Sequence, residues 1–160
     1  MCYFESRDAR KRTKDAKGEL RYLGSSALST KGYDFEDITG RIIAAAIEVH
    51  KELGPGFQEV VYQRSLALEL EAASVDFARE ENVPVMYKGK HIDTRRVDFV
   101  VGDCIVEIKA RKELLSEDMI QTLCYLKASG YRLALLINFG GPKIQVKRFV
   151  NEQERYAAVD

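Results

Sequence analysis

RRVDFVVGDCIVEIKA (residues 95–110) contains two short strand patterns separated by a Gly-Asp pair at residues 102–103. A Gly-X pair between two apolar, alternating segments predicts a two-residue type II′ hairpin loop. If these two residues form the loop, Asp98 lies directly opposite Glu107. The stretch therefore predicts a β-hairpin that brings two carboxylates together, and the rest of the fold is built outward from it.

Strand alternation sorts the hairpin residues onto two faces. One face is wholly apolar and is expected to point into the core; it carries Val97, Phe99, Val101, Cys104, Val106 and Ile108. The other face carries three cross-strand pairs, which are Val100 with Ile105, Asp98 with Glu107, and Arg96 with Lys109. The prediction thus places two carboxylates and a lysine next to each other.

Two ionised carboxylates at Asp98 and Glu107 would repel each other. Directly opposed Cβ atoms lie about 5 Å apart, and at an effective dielectric of about 20 the repulsion is roughly 3 kcal/mol. The repulsion is relieved if one carboxyl is protonated, if Arg96 and Lys109 neutralise the pair, or if a hard divalent cation lies between them. Oxygen-only ligation favours Mg²⁺, Mn²⁺ or Ca²⁺ over zinc. A solvated ladder of charges fits the same residues, so the pattern alone leaves these alternatives open.

Two helices are predicted before the hairpin. From Asp34 onward, apolar residues recur at spacings of three and four, which indicates an amphipathic helix that ends at residues 54–56, Gly-Pro-Gly. A second helix is predicted from Phe57 to Ala73, with an inward stripe of Glu59, Tyr62, Leu66, Leu70 and Ala73. Glu59 heads this stripe, where it could serve a site or simply favour the helix dipole.

The remaining pattern predicts strands around one further helix. The expected strands cover residues 75–80, 83–87, 95–101, 104–110, 132–139 and 144–150. The third helix is expected from Ser116, as its N-cap, to Ala128. The order ααβββ(β)αββ predicts an α/β fold with a mixed sheet. On the third helix Gln121 and Tyr125 are four residues apart, which suits either a site contribution or a polar helix edge.

Length and composition narrow the class of protein. The chain has 160 residues, about one domain, with 46% hydrophobic and 31% charged residues, as in soluble globular proteins. No apolar stretch approaches the roughly 20 residues that cross a bilayer. Three scattered cysteines argue against a disulfide framework, and a cytoplasmic setting is expected. The 25 basic and 25 acidic residues lack the positive excess of a strong nonspecific nucleic-acid binder.

The domain boundaries follow from a change in composition. Residues 1–33 are dense in charge and then rich in glycine and serine, which predicts a charged N-terminal extension and linker. Residues 34–150 carry the regular pattern and form the expected domain. Residues 151–160 are expected to be a C-terminal tail.

The stretch VHKELGPGFQEVVY (residues 49–62) contains G-x-x-E-x-x-Y at Gly56, Glu59 and Tyr62. It resembles the signature of the GxxExxY proteins, a bacterial group within the PD-(D/E)XK nuclease-like superfamily. The resemblance continues through RRVDFVV, VEIKA, QTLCYLKASG and LALLINFG, and covers roughly residues 35–150. It implies a restriction-endonuclease-like core. The aspartate follows Val97 rather than proline, a departure that the superfamily often shows.

The resemblance also assigns roles to residues. It implies that Asp98 and Glu107 bind a divalent metal, Mg²⁺ or Mn²⁺, together with the backbone carbonyl of Ile108. Lys109 would position or activate the attacking water. Glu59 would complete the acidic site from its helix, and Gln121 would approach it from the third helix.

Two functions are compatible with these observations. The first is a metal-dependent nuclease that hydrolyses phosphodiester bonds of nucleic acid, with DNA a more natural substrate than RNA. The second is a catalytically silent module that keeps the fold and binds nucleic acid or a protein partner, including a second copy of itself in a homodimer. The intact acidic and lysine positions favour the first, and the zero net charge favours the second.

Overall fold

The structure of the protein is a computed structural model that describes the backbone of residues 12–14, 20–22 and 35–151, and the side chains of residues 37–151. The chain divides into two units, Met1–Tyr33 and Asp34–Asp160. In the first unit, two short strands, β1 (Arg12–Lys14) and β2 (Leu20–Tyr22), pair antiparallel. The remainder of the predicted extension, the tail from residue 152 and Cys2 lie outside the described residues.

Two helices open the second unit. Helix α1 (Phe35–Leu53) is 19 residues long and ends where the sequence predicts, because Gly54 adopts a left-handed φ of 64° and donates its N–H to the His50 carbonyl at 2.9 Å. Helix α2 (Glu59–Ala72) starts two residues later than predicted. Its first helical residue is therefore Glu59.

Five strands form a mixed sheet in the order β3-β4-β5-β6-β7. Their bounds are β3 (Ala78–Tyr87), β4 (Lys90–Val101), β5 (Cys104–Lys109), β6 (Leu133–Asn138) and β7 (Gln145–Val150). Neighbouring strands are antiparallel except β5 and β6, which are parallel and joined by helix α3 (Ser116–Ser129). A parallel pair needs such a crossover, and this one confirms the predicted α/β fold with a mixed sheet.

Both faces of the sheet are covered. One core cluster joins α1 and α2 to one side of β4, β5 and β6, and Tyr62, Leu66 and Leu70 of α2 are fully buried in it. A second cluster on the other side packs Leu126 of α3 against Val100 and Ile105. The result is a layer of two helices, a sheet and a layer of one helix. The middle strands β5 and β6 are buried along almost their whole length.

Three local predictions are corrected by the structure. The two strands predicted at residues 75–80 and 83–87 are a single strand, β3 (Ala78–Tyr87). The chain turns after this strand, at Lys88 and Gly89, whose φ angles are 49° and 75°. The N-cap of α3 is Leu115 rather than Ser116, and its N–H is bound by the Asp118 carboxylate at 2.9 Å. Ala73 does not belong to the inward stripe of α2, since it is exposed beyond the helix end.

Of the cysteines that the structure describes, Cys104 is buried and Cys124 is exposed, and both are free thiols. Within the described residues, no helix has the length and hydropathy needed to span a membrane.

Candidate active site

The β4–β5 hairpin has the predicted register. Val101 pairs with Cys104, Val100 with Ile105, and Phe99 with Val106. The loop between them begins with Gly102 at φ 56°, the positive value that a type II′ turn needs in its first position. The register deduced from a two-residue loop is therefore confirmed for these three pairs, and the ladder does not extend to the predicted pair of Asp98 with Glu107.

The ladder stops just before the two carboxylates. Instead of a backbone carbonyl, the Oδ2 atom of Asp98 accepts the N–H of Ile108 at 2.7 Å. Alternation also breaks at this point, because Val97 packs in the second core cluster with Val100 while Phe99 packs in the first. The prediction that Val97 and Phe99 share a face is wrong. Beyond Phe99, therefore, a side-chain hydrogen bond of Asp98 replaces the backbone ladder between β4 and β5.

A relay from α2 and β3 holds the other oxygen of Asp98. The Gln63 amide donates to Asp98 Oδ1 at 3.0 Å, and the Arg79 guanidinium donates to Gln63 Oε1 at 2.9 Å. Gln63 is itself buried. Each carboxylate oxygen has two lone pairs, so one hydrogen bond on each leaves acceptor capacity on both. Asp98 is thus fixed in orientation and still able to bind a ligand.

Glu107 is buried without a full set of partners. Its side chain is 7% exposed, and its Oε1 atom is the one buried side-chain polar atom in the described residues that makes no hydrogen bond. Burial raises its pKa to about 8, with the nearby Asp98 carboxylate adding to the effect and the Lys109 ammonium opposing it. An unpartnered buried carboxylate oxygen is costly, so this position calls for a cation or a proton.

The pKa of Asp98 is also raised, chiefly by burial. The N–H of Ile108, the Gln63 amide and the Lys109 charge oppose the shift, and Glu80 adds to it. Glu80 lies across the ladder from Asp98, between the pairs that Arg79 and Glu81 form with β4, and has a φ of 48°. Negative charge from β3 therefore acts on Asp98 as well.

Lys109 lies at the end of β5 with its side chain 16% exposed. Its Nζ is 4.0 Å from Asp118 Oδ1, and Arg111 Nη1 is 3.4 Å from Asp118 Oδ2. The pair predicted between Arg96 and Lys109 does not form, because the β4–β5 ladder covers only Phe99–Val101 and Cys104–Val106. Lys109 is held by α3 rather than neutralising the two acids directly, while its charge lowers the pKa of both.

Glu59 lies at the start of α2, one turn before Gln63 on the same helix face. The prediction that it points inward with the core stripe is wrong, since its side chain is exposed. Its charge nevertheless contributes to the raised pKa of Glu107. Within residues 37–151, no three His, Cys, Asp or Glu side chains come close enough to hold a metal together. Glu59 thus acts on Glu107 through its charge, and its role as a further metal ligand stays a prediction.

Gln121 is exposed on α3 and donates its amide N–H to the Tyr125 hydroxyl at 3.0 Å. Of the described side chains, none of Asp98, Glu107 and Lys109 is hydrogen bonded to it. The polar helix edge, one of the two roles that the sequence left open, accounts for its observed contact.

Two of the three residues that define the G-x-x-E-x-x-Y motif, Gly56 and Tyr62, have structural roles. Gly56 has a φ of 118°, which a residue with a Cβ atom rarely adopts. The fully buried Tyr62 donates its hydroxyl to the Gly54 carbonyl at 2.6 Å, accepts the Phe57 N–H at 3.2 Å, and stacks on Phe139 at 4.8 Å. Glycine and tyrosine together fix the turn into α2. Glu59 is the one motif residue that this turn does not use.

We expect Tyr62→Phe to lower the free energy of unfolding by about 1–3 kcal/mol, because it leaves the Gly54 carbonyl and the Phe57 N–H without their partner. Thermal or urea unfolding measures the change. Tyr125→Phe is the matched control, since its hydroxyl meets only the exposed Gln121 amide, and its effect should stay within about 0.5 kcal/mol. Equal losses in the two variants would contradict the structural role of Tyr62.

Backbone contacts lock the segment that follows Lys109. The fully buried Asn138 bonds to Arg111 at both ends of its amide, accepting the N–H at 3.0 Å and donating to the carbonyl at 2.8 Å. Gly140 packs so closely that a Cβ atom there would collide with the backbone of Ala110 and Arg111. The chain is thereby held in one position at the exit of β5.

The next residues line a shallow surface depression of about 380 Å³, formed by Arg111, Lys112, Glu113 and Leu115. Two of the four carry positive charge. The third charged residue, Glu113, is acidic, and Arg111 is also paired with Asp118, so the depression has a small positive excess close to Lys109 in sequence.

The donor set suits a hard divalent cation. Asp98 and Glu107 offer carboxylate oxygens, and one Glu107 oxygen is buried without a hydrogen bond. Mg²⁺ is typically held by one or two carboxylates together with water and phosphate oxygens, so a third acidic side chain is not required. The residues present therefore fit the ion that the sequence led us to expect.

Several residues around the pair were not predicted. Gln63 and Arg79 orient Asp98, Glu80 adds charge, and Asp118 holds Lys109. Only Gln63 carried a usable signal, because its spacing of four from Glu59 places both on one helix face. The others depend on pairings between distant segments, which spacing does not reveal.

Comparison with known proteins gives one match. Residues 36–149 match the family model of the PD-(D/E)XK nuclease superfamily. No curated protein and no solved structure matches the chain.

Proposed function

The chain belongs to the PD-(D/E)XK nuclease superfamily, and from that premise we propose that it is a divalent-metal-dependent nuclease using Mg²⁺ or Mn²⁺. Its substrate in this proposal is nucleic acid, with DNA preferred to RNA. Nucleases of this superfamily generally use divalent metal ions. The catalytic residues in the proposal are Asp98, Glu107 and Lys109, assisted by Glu59.

One observation carries the proposal: Glu107 Oε1 is buried, makes no hydrogen bond and lies beside a second carboxylate with a raised pKa. Buried polar atoms in native proteins nearly always have partners. Without a positive charge between them, the two buried carboxylates repel each other when both are ionised. A divalent cation supplies that charge and satisfies the orphaned oxygen.

Asp98, Glu107 and the backbone carbonyl of Ile108 would hold the cation. When bound, it supplies the positive charge that makes water more acidic and offsets charge on a phosphodiester. Gln63 keeps the Asp98 carboxylate in one orientation through its 3.0 Å hydrogen bond. Lys109 places an ammonium beside the reacting phosphate, where it orients the attacking water and stabilises the negative charge that develops.

The surroundings of Lys109 support an anionic substrate. Arg111 and Lys112 line the depression that follows β5, where they outnumber the one acidic residue, Glu113. Asp118 forms one ion pair with Lys109 and one with Arg111, which limits the motion of both side chains. Its single negative charge offsets only one of their two positive charges. Glu59 lies exposed at the start of α2, within electrostatic reach of Glu107, where it can act on water or on a leaving group.

The test measures metal binding and cleavage separately. The full chain is titrated with Mn²⁺ by calorimetry and by electron paramagnetic resonance, and is then incubated with single-stranded, double-stranded and branched DNA and RNA in Mg²⁺, Mn²⁺ or EDTA. We expect Mn²⁺ binding and cleavage that EDTA abolishes. Asp98→Asn should weaken Mn²⁺ binding by at least tenfold and remove cleavage, because it takes away one of the two carboxylates.

Asp76→Asn is the matched control, since Asp76 is exposed in the loop between α2 and β3. It should leave binding and cleavage unchanged. If the wild type binds no Mn²⁺ at millimolar concentration and cleaves none of the substrates, the nuclease proposal is wrong, and a binding module of nuclease fold replaces it.

A further inference from the structure

The antiparallel pair β3–β4 extends well past the sheet. Strand β4 is 12 residues long, but it pairs with β5 only through Phe99–Val101. Of the described strands, β3 alone pairs with the earlier part of β4. We name residues 84–96 the β3–β4 ribbon: the end of β3, the turn at Lys88 and Gly89, and the start of β4.

The ribbon is far more basic than the rest of the chain. It contains Lys88, Lys90, Arg95 and Arg96 against a single acid, Asp93, whereas the whole chain has 25 basic and 25 acidic residues. All four basic side chains are exposed. Asp93 pairs with Arg95 at 2.7 Å, and Lys88 Nζ lies 5.5 Å from the centre of the Tyr87 ring. Within the described residues, Lys88, Lys90 and Arg96 form no ion pair with an acidic side chain.

The same ribbon exposes apolar side chains. Tyr87 is 61% exposed, Ile92 62% and Met86 43%. The ladder is interrupted here, since Val85 pairs with Asp93 while Met86 pairs with His91. Ile92 is therefore the extra residue of a β-bulge, which strengthens the local twist and turns a side chain outward. Exposed apolar groups between cations suit a polyanion that has both phosphates and base edges.

The ribbon leads directly into the candidate active site. Asp98 lies eight positions after Lys90 along β4, which corresponds to about 26 Å of extended chain. That length matches roughly eight base pairs of a duplex at 3.4 Å each. A nucleic acid that lies along the ribbon is thus directed towards Asp98.

We propose that the β3–β4 ribbon binds duplex DNA, lying in the major groove with its cations against the phosphates and Ile92 against base edges. The major groove of B-DNA admits a two-stranded β-ribbon, and thymine methyl groups there offer apolar contacts. The deep, narrow major groove of duplex RNA does not. This inference depends on the proposed function in one respect: the bound DNA is directed towards Asp98, which belongs to the proposed active site. To that function it adds a duplex DNA substrate held by the ribbon.

Binding is measured without catalysis. The anisotropy of a labelled 20-base-pair DNA is followed in EDTA from 50 to 200 mM salt, with the full chain as wild type, Lys88→Gln/Lys90→Gln or Lys143→Gln/Lys147→Gln. Each lost phosphate contact lowers the log–log salt slope by about 0.9, so the first double variant should lower it by about 1.8. The second removes two exposed cations from the other edge of the sheet and should leave slope and affinity unchanged.

Two further arms test the groove. Ile92→Gln should weaken DNA binding severalfold with an unchanged salt slope, because it removes an apolar contact and no charge. A 20-base-pair RNA duplex should bind more weakly and be insensitive to Ile92→Gln. Sedimentation of each variant tests for self-association through the apolar tip.

The proposal is overturned if the wild type does not bind the DNA, if the two double variants behave alike, or if RNA responds to Ile92→Gln as DNA does. It is also overturned if Ile92→Gln dissociates a dimer and leaves DNA binding unchanged. If the protein does not cleave DNA but its DNA binding still depends on the ribbon, the nuclease proposal is wrong and the ribbon proposal stands. Cleavage with a salt slope that is independent of Lys88 and Lys90 counts against the ribbon alone.

Discussion

Lys109→Ala is expected to lower the rate of nucleic-acid cleavage by about 10²–10⁴-fold, the range typical of losing one catalytic proton-transfer or charge-stabilising group. Affinity for Mn²⁺ should change little, because the ammonium offers no lone pair and Asp98 and Glu107 remain. The loss should appear in kcat more than in KM, since the ammonium acts on charge that develops during the reaction.

Single-turnover cleavage measures the rate of the reaction, and Mn²⁺ titration of the same preparation measures the affinity for the metal. Lys127→Ala, in the last turn of α3 and exposed, is the matched control and should retain full activity. A melting curve checks that loss of the 4.0 Å contact with Asp118 has not unfolded the variant. Equal cleavage by wild type and Lys109→Ala would eliminate the proposed role of the lysine.

Glu107→Gln is expected to make the metal-free protein more stable at alkaline pH. Burial raises the pKa of Glu107 from 4.5 to about 8, with Asp98 adding to the shift. Between these two values the folded protein retains a proton that the unfolded chain has released. Stability therefore falls as the pH rises from about 4.5 to 8, and the penalty is complete above the folded pKa.

Each unit of pKa shift corresponds to about 1.4 kcal/mol, so the penalty at pH 9 is on the order of a few kcal/mol. Glutamine is neutral at every pH and avoids it. The wild type should unfold about 10 °C below Glu107→Gln at pH 9 and close to it at pH 5, as followed by thermal unfolding in EDTA. A constant difference between the two proteins from pH 5 to 9 would contradict the raised pKa.

Divalent metal should stabilise the wild type but not Glu107→Gln, and so narrow the difference between them at pH 9. A ligand at ten times its Kd stabilises the folded state by about 1.4 kcal/mol, and the glutamine variant has lost one of the binding carboxylates. Glu113→Gln, in the exposed loop before α3, is the matched control and should follow the wild type with and without metal. Equal stabilisation of Glu107→Gln by Mn²⁺ would place the cation elsewhere.

Local rules were sufficient for the hairpin that carries the site. A two-residue loop with glycine first has one register, so Asp98 and Glu107 could be brought together from sequence alone. The same rules failed one residue further on, at Val97. Alternation assumes an unbroken ladder, and here the Asp98 carboxylate replaces a backbone acceptor.

Long-range pairings lay beyond those rules. Asp118 meets Lys109 only because α3 crosses over to make β5 and β6 parallel, and Gln63 meets Asp98 across 35 residues of chain. Glu59 shows the opposite difficulty. Helical spacing predicted that Glu59 lies on the core stripe. It is the first residue of α2, and the side chain is exposed at this end of the helix.

The close backbone packing of Gly140 and Asn138 against Arg111 has a consequence for how this protein can diversify. A segment held by a buried amide and by contact that excludes even a methyl group cannot widen to suit a new substrate. The β3–β4 ribbon is tied to no such partner, because most of its side chains face solvent. Under the proposed DNA binding by the ribbon, mutations there would alter recognition and leave the carboxylates undisturbed. The target and the chemistry could then change independently, because they depend on separate residues.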